Sequence, residues 1–334
     1  MQDYFHLPLL DRFEKETGVH VDYQVYEEPD EVEARLRSAP GSVDVVIIDS
    51  FNLNKLRKLR LLHPLDKSAV PNFTHASPTF TNLDADPQNG FSVPYHWGTT
   101  LLAYRKDLLP NPDRSWRLLW DPALKGRIMM MQDSFESLAV AMMLNGRSPD
   151  TVERADYEEA SAMLLDQIDT MDARYGSYEA IKLALQDGTI AAAMCYNGDA
   201  ATVAAEEPNV DFFIPKEGGT MWVDCLAIAR DTKDAAMAHA FLNFFMEPTV
   251  AAENANSIQF ASTNAAADAH ISPELRNDPR MYPPEEIMER LHLVPELDAE
   301  RDDLVNKFWY NVRSKSISRT EAQKENAQRA EVTR

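Results

Sequence analysis

Apolar positions along the chain follow two rhythms. Short runs rich in Val, Ile, Leu and Met alternate with stretches in which apolar residues return every three or four positions. The runs predict strands at 20–26 (HVDYQVY), from Val43 (VDVVIID), from Thr99 (TTLLAYR), from Arg127 (RIMMMQ), from Thr189 (TIAAAMCY) and from Met221 (MWVDCLAIA). The longer rhythm predicts helices over 4–16, 31–38, 51–60, 134–145, 151–171, 177–187, 234–246 and 298–313. Such alternation marks βαβ units, so the expected fold class is α/β with mainly parallel sheets flanked by helices. In the first helix Leu7, Leu10 and Phe13 share a face, and Gly18 supplies a stop. A domain of this pattern ordinarily opens on a buried strand, which predicts a first strand upstream of this helix.

Two segments of mixed aromatic, Pro and Gly character, SVPYHWGTT at 92–100 and the stretch around Trp222, suggest where the chain passes between lobes. They divide it into 1–95 plus 225–267 and 96–224 plus 268–314. From 315 to 334 the apolar period is lost among Gln, Glu, Lys, Arg, Ala and Ser, and a polar, disordered tail is expected. At 334 residues and 44% hydrophobic content, the chain has room for two ordinary domains, each with its own core.

Charge narrows the classes of partner. With 54 acidic against 33 basic residues the net charge is -21, which argues against nucleic acid and favours attraction of cations. Cys195 and Cys225 both lie in apolar runs and read as buried thiols, with a bridge between them left open. No apolar run reaches the length of a membrane span, and MQDYFHLPLL lacks the features of a secretion signal. Walker A, G-x-S-x-G, zinc-type and G-x-G-x-x-G spacings are absent, so no cofactor or metal is expected.

The candidate chemistry is acidic and aromatic. In PKEGGTMWVDCLAI, 215–228, Trp222 and Asp224 stand two apart on a strand and therefore point the same way. A ring face beside a carboxylate suits an organic cation: the ring attracts an ammonium or covers methylenes, and the acid supplies a charge-assisted hydrogen bond. The bland alternative is a core Trp and a turn-capping Asp. Three further strand ends repeat the theme. IIDSFN carries Asp49, Ser50 and Phe51; QDSFES carries Asp133 and Glu136 at capping-box spacing; YNGDA carries Tyr196 and Asp199. Capping alone accounts for each acid singly, but capping asks for Ser, Thr or Asn as readily as Asp. An acid–base pair of a hydrolase is a poor reading of Asp133 and Glu136, which share one helix start and cannot flank a scissile bond.

With EKETG, DVVIIDS, PYHWGTT, YNGDA, KEGGTMWVDCLAI and MYPPEE in this order, the chain from about Gln2 to about Arg313 resembles the periplasmic spermidine/putrescine-binding proteins of ABC transporters. The resemblance implies a type II periplasmic binding protein fold that closes on an extended amine at the lobe interface, monomeric, delivering to permease subunits. It implies that Asp224 grips an ammonium, that Trp222 lies along the methylenes, and that Asp133, Glu136, Tyr196 and Phe51 belong to the site. Phe260 stands for a family tyrosine without its hydroxyl, and Asp49 for a serine or threonine. The family's first strand and its Trp would fall upstream of or at Met1, which implies residues and an export signal preceding this sequence. Five carboxylates exceed what putrescine needs, so some are expected to cap helices or pair with Lys55 or Arg105. Another cationic amine as ligand, or a sensing rather than delivering role, is the alternative reading.

Overall fold

The structure, a computed structural model, describes residues 4–26, 29–294 and 299–332. Met1, where the resemblance would set a Trp, and residues 295–298 lie outside them. The larger elements in chain order are α1 (Leu7–Thr17), α2 (Pro29–Ser38), β1 (Val45–Asp49), α3 (Ser50–Lys58), β2 (Ser92–Arg105), β3 (Ile128–Met131), α4 (Ser134–Leu144), α5 (Arg154–Met171), β4 (Arg174–Gly176), α6 (Tyr178–Gln186), β5 (Ala192–Tyr196), α7 (Asn197–Glu206), β6 (Val210–Phe213), β7 (Gly219–Ile228), α8 (Ala235–Phe245), α9 (Pro248–Ile258) and β8 (Ala261–Ser262). Two short helices, α10 (Pro273–Arg276) and α11 (Glu285–Met288), precede β9 (Leu291–Leu293) and a long α12 (Ala299–Val332).

The chain divides into two compact units. Unit 1 is Met1–Gly98, Met221–Pro283 and Val294–Glu296; unit 2 is Thr99–Thr220, Pro284–Leu293 and Leu297–Arg334. His96, Trp222 and Asp224 thus fall in unit 1, on the far side of these crossings from the second lobe drawn from composition.

In unit 1, β1 runs antiparallel to the second half of β7, with Val45 opposite Ile228 and Asp49 opposite Asp224. His96 and Trp97 of β2 pair antiparallel with Ser262 and Ala261 of β8. The apolar face of α1 meets that of α8 as the sequence pattern requires: Phe13 packs edge-on to Phe241 at 5.1 Å, and Phe5, just ahead of α1, lies 4.7 Å from Phe245. Gly18 closes α1 at φ 75, the left-handed conformation that only glycine adopts freely.

In unit 2, Leu102 of β2 sits between Met194 of β5 and Phe213 of β6, antiparallel to both. β3 joins parallel to β5 and β4. Among the described pairings the sheets are therefore mixed rather than mainly parallel, because β1 runs antiparallel to β7 and β2 runs antiparallel to β5, β6 and β8. Nearly every side chain of α4 is buried, which accounts for its near-continuous apolar sequence.

Two local expectations change. Residues 20–26 form no strand: no ladder pairs them among the described residues, and the Val21 amide donates instead to Glu14 Oε1 at 2.6 Å. The segment read as a polar tail continues α12 to Val332. Val305, Phe308, Trp309 and Val312 bury one face of that helix, and Lys315 and Arg319 pair with Asp169 and Asp172 of unit 2.

Candidate functional site

The unit 1 cluster grows from the strand period. Trp222 and Asp224 do share a face of β7, because both reach one neighbour, His96. The Trp222 ring stands 6.1 Å from the imidazole, and Asp224 Oδ2 is 3.4 Å from its Nδ1. Phe260, just ahead of β8, sits edge-on to Trp222 at 5.2 Å. Asp224 is 6% exposed, and among the described residues no Lys or Arg pairs with it. Burial, aided by the charge of Asp49 opposite, holds its carboxyl well above the usual range.

Asp49 has a second task. Its Oδ1 accepts from the Asn52 amide at 2.9 Å and its Oδ2 from Asn52 Nδ2 at 2.7 Å, so it caps α3. Ser50 is buried and Phe51 half-buried in the first turn of the same helix.

The unit 2 cluster gathers at the start of α4. Asp133 caps it, accepting from the Glu136 amide at 2.9 Å. Glu136 does more than complete a capping box: 3% exposed, it accepts a hydrogen bond from Thr220 Oγ1. Burial, and then the neighbouring Asp133 charge, pushes its carboxyl up to about 8. The same two acids raise the Tyr196 hydroxyl, after burial and the nearby Tyr178, whose ring lies 5.2 Å away. Asp199 stands apart in role: its Oδ1 is 3.6 Å from Lys182 Nζ, and burial outweighs that cation to bring it to about 6. The extra acids do find partners, but Lys182 and Asn52 rather than Lys55 and Arg105, which pair with Asp30, Glu33 and Asp107.

His96, Tyr4, Tyr178, Thr220 and Lys182 were not singled out by sequence. His96 was the legible one, a titratable residue on a strand that is buried throughout. Cys195 and Cys225 are both free and buried. Among the described residues no helix is long and apolar enough to cross a membrane.

Two units of mixed sheet and helix, each with buried acid beside rings, define a solute-binding class of protein. The chain belongs to the family described as bacterial extracellular solute-binding protein, whose model matches residues 9–283, and its fold is the type II periplasmic binding protein fold. It is a binding protein, not an enzyme. Among its relatives, the spermidine/putrescine-binding periplasmic protein of Escherichia coli (strain K12) is 32% identical over 82% of this chain and 79% of its own. The putrescine-binding periplasmic protein SpuD of Pseudomonas aeruginosa (strain UCBPP-PA14) is 33% identical over 93% and 90%. Among solved structures, the spermidine/putrescine ABC transporter substrate-binding protein PotD of Streptococcus pneumoniae superimposes with a TM-score of 0.84 at 25% identity, covering 94% of this chain and 97% of that one.

Proposed function

We propose that this protein binds a polyamine of the putrescine or spermidine class outside the cytoplasmic membrane and delivers it to the permease of an ABC transporter. One observation carries the reading: Asp224 is buried beside the Trp222 ring with no Lys or Arg to neutralise it among the described residues. Burying a carboxylate is costly unless it is paired, so the site suits a cation supplied from outside. An alkylammonium fits both parts, giving its N–H groups to the acid and its methylenes to the ring. Each such charge-assisted bond is worth about 1.5–3 kcal/mol, and a cation over a ring about 0.5–2 kcal/mol. Glu136 in unit 2 presents the same chemistry, a buried acid without a Lys or Arg partner among the described residues, close to Tyr196. The names of the relatives support the ligand class, the transporter and the periplasm.

The test is competition dialysis on protein stripped of bound amine by denaturation and refolding. Labelled putrescine is retained, and unlabelled spermidine, cadaverine or agmatine displaces it while citrate and maltose do not. Displacement by citrate or maltose, or no retention of any amine by folded protein, overturns the reading.

A further inference from the structure

Period two turns His96 inward on β2, where it is 2% exposed. Its imidazole is sandwiched between rings, stacking on Tyr4 at 5.3 Å and 3° and on Phe260 at 5.5 Å and 16°, with Trp222 edge-on. A Leu or Phe would fill that space without burying two polar nitrogens. Neither Nδ1 nor Nε2 has a hydrogen-bond partner among the described residues, and the polar group beside the ring is Asp224, 3.4 Å from Nδ1. A buried imidazole that packs like an apolar ring yet sets one nitrogen against a binding carboxylate calls for a reason.

We infer that His96 is a positioning residue for Asp224: the two side chains hold one proton between them before an amine binds, and release it to solvent when an ammonium takes its place on the carboxylate. The inference rests on the reading of Asp224 as an ammonium site. Charge balances, since one positive charge enters and one leaves, and the carboxylate is never left bare in its apolar surroundings. Burial drives the imidazole down to about 3, and burial with the Asp49 charge drives the carboxyl up, so the pair is most stable holding a single proton and no net charge.

The other titratable groups facing the pair are engaged. Asp49, opposite Asp224, caps α3 through Asn52. The Tyr95 hydroxyl donates to Tyr4 O at 3.0 Å and accepts from Asn254 Nδ2 at 2.8 Å. The Tyr4 ring covers one face of the imidazole and brings no charge.

The experiment is calorimetric titration of the full chain with spermidine and with putrescine, from mildly acid to alkaline pH, in buffers of different ionisation enthalpy. Wild type, His96→Gln and His96→Leu are compared, each checked for folding by thermal melting. Glu136 contributes a pH step common to all three, so the difference between them reads His96. At a given pH the number of protons released on binding should differ between the wild type and both variants, by up to one. On the acid side of its step, affinity should fall about tenfold per pH unit, and that step should move by about one pH unit or more in His96→Gln. Where a variant melts early, the nitrogen chemical shifts of His96 in wild type, with and without spermidine, report the same proton directly. Equal proton counts and pH profiles in wild type and variants, or imidazole shifts indifferent to spermidine, overturn the inference while the ammonium site stands. No amine bound at any pH overturns both.

Discussion

Glu136 shows how far a side chain's surroundings can depart from what spacing suggests. The D-x-x-E pattern predicted a capping box, and half of it forms, with Asp133 on the Glu136 amide. The Glu136 carboxyl itself is drawn into a buried bond with Thr220, distant in sequence and therefore invisible to local pattern. Its pKa rises from 4.5 to about 8. The sign follows: below the ordinary carboxyl range both folded and unfolded chains hold the proton, and between 4.5 and about 8 the folded chain keeps a proton the unfolded chain loses. Stability of the ligand-free protein therefore falls as pH rises through that window. Glu136→Gln should lessen the fall, which Asp199 and Asp224 share, gaining several degrees in melting temperature over wild type at alkaline pH and little at acid pH. The same variant should bind amines less well at alkaline pH, where the wild-type carboxylate is charged. A parallel pair of melting curves across pH would contradict the account.

At the scale of elements, legibility followed the source of the stabilising contacts. The strand carrying Trp222 and Asp224 was readable because period two is a local property. So was α1, whose apolar stripe ends at Gly18. The segment 20–26 has strand-like residues but no ladder among the described residues, and a strand is a relation between two segments rather than a property of one. Helix α12 was the opposite case. Its polar C-terminal half contains no apolar period, yet the docked first half and the pairs at Lys315 and Arg319 extend the helix. If that docked face anchors α12, Trp309→Ala should cost about 3–5 kcal/mol in denaturant unfolding, whereas Tyr310→Ala, at a position 70% exposed, should stay within about 0.5 kcal/mol. Equal effects from the two would remove the anchoring role.

For the whole molecule, the net charge of -21 is an argument about encounter rather than fold. A cationic ligand approaching this chain should associate faster at low ionic strength, and salt should reduce the association rate more than it alters dissociation. Stopped-flow Trp fluorescence with spermidine checks this, and a rate indifferent to salt would leave the surface charge without a part in capture. The family was legible in sequence from short ordered motifs, whereas the proton chemistry around His96 needed three dimensions. The claim on which the rest depends is that Asp224 holds an ammonium group. Calorimetric titration of amine-free wild type and Asp224→Asn with spermidine and putrescine addresses it directly. Wild type is predicted to bind at least one of them at about 1 μM or tighter, near -8 kcal/mol, and Asp224→Asn at least tenfold more weakly. A folded Asp224→Asn protein that binds as wild type does would contradict the account.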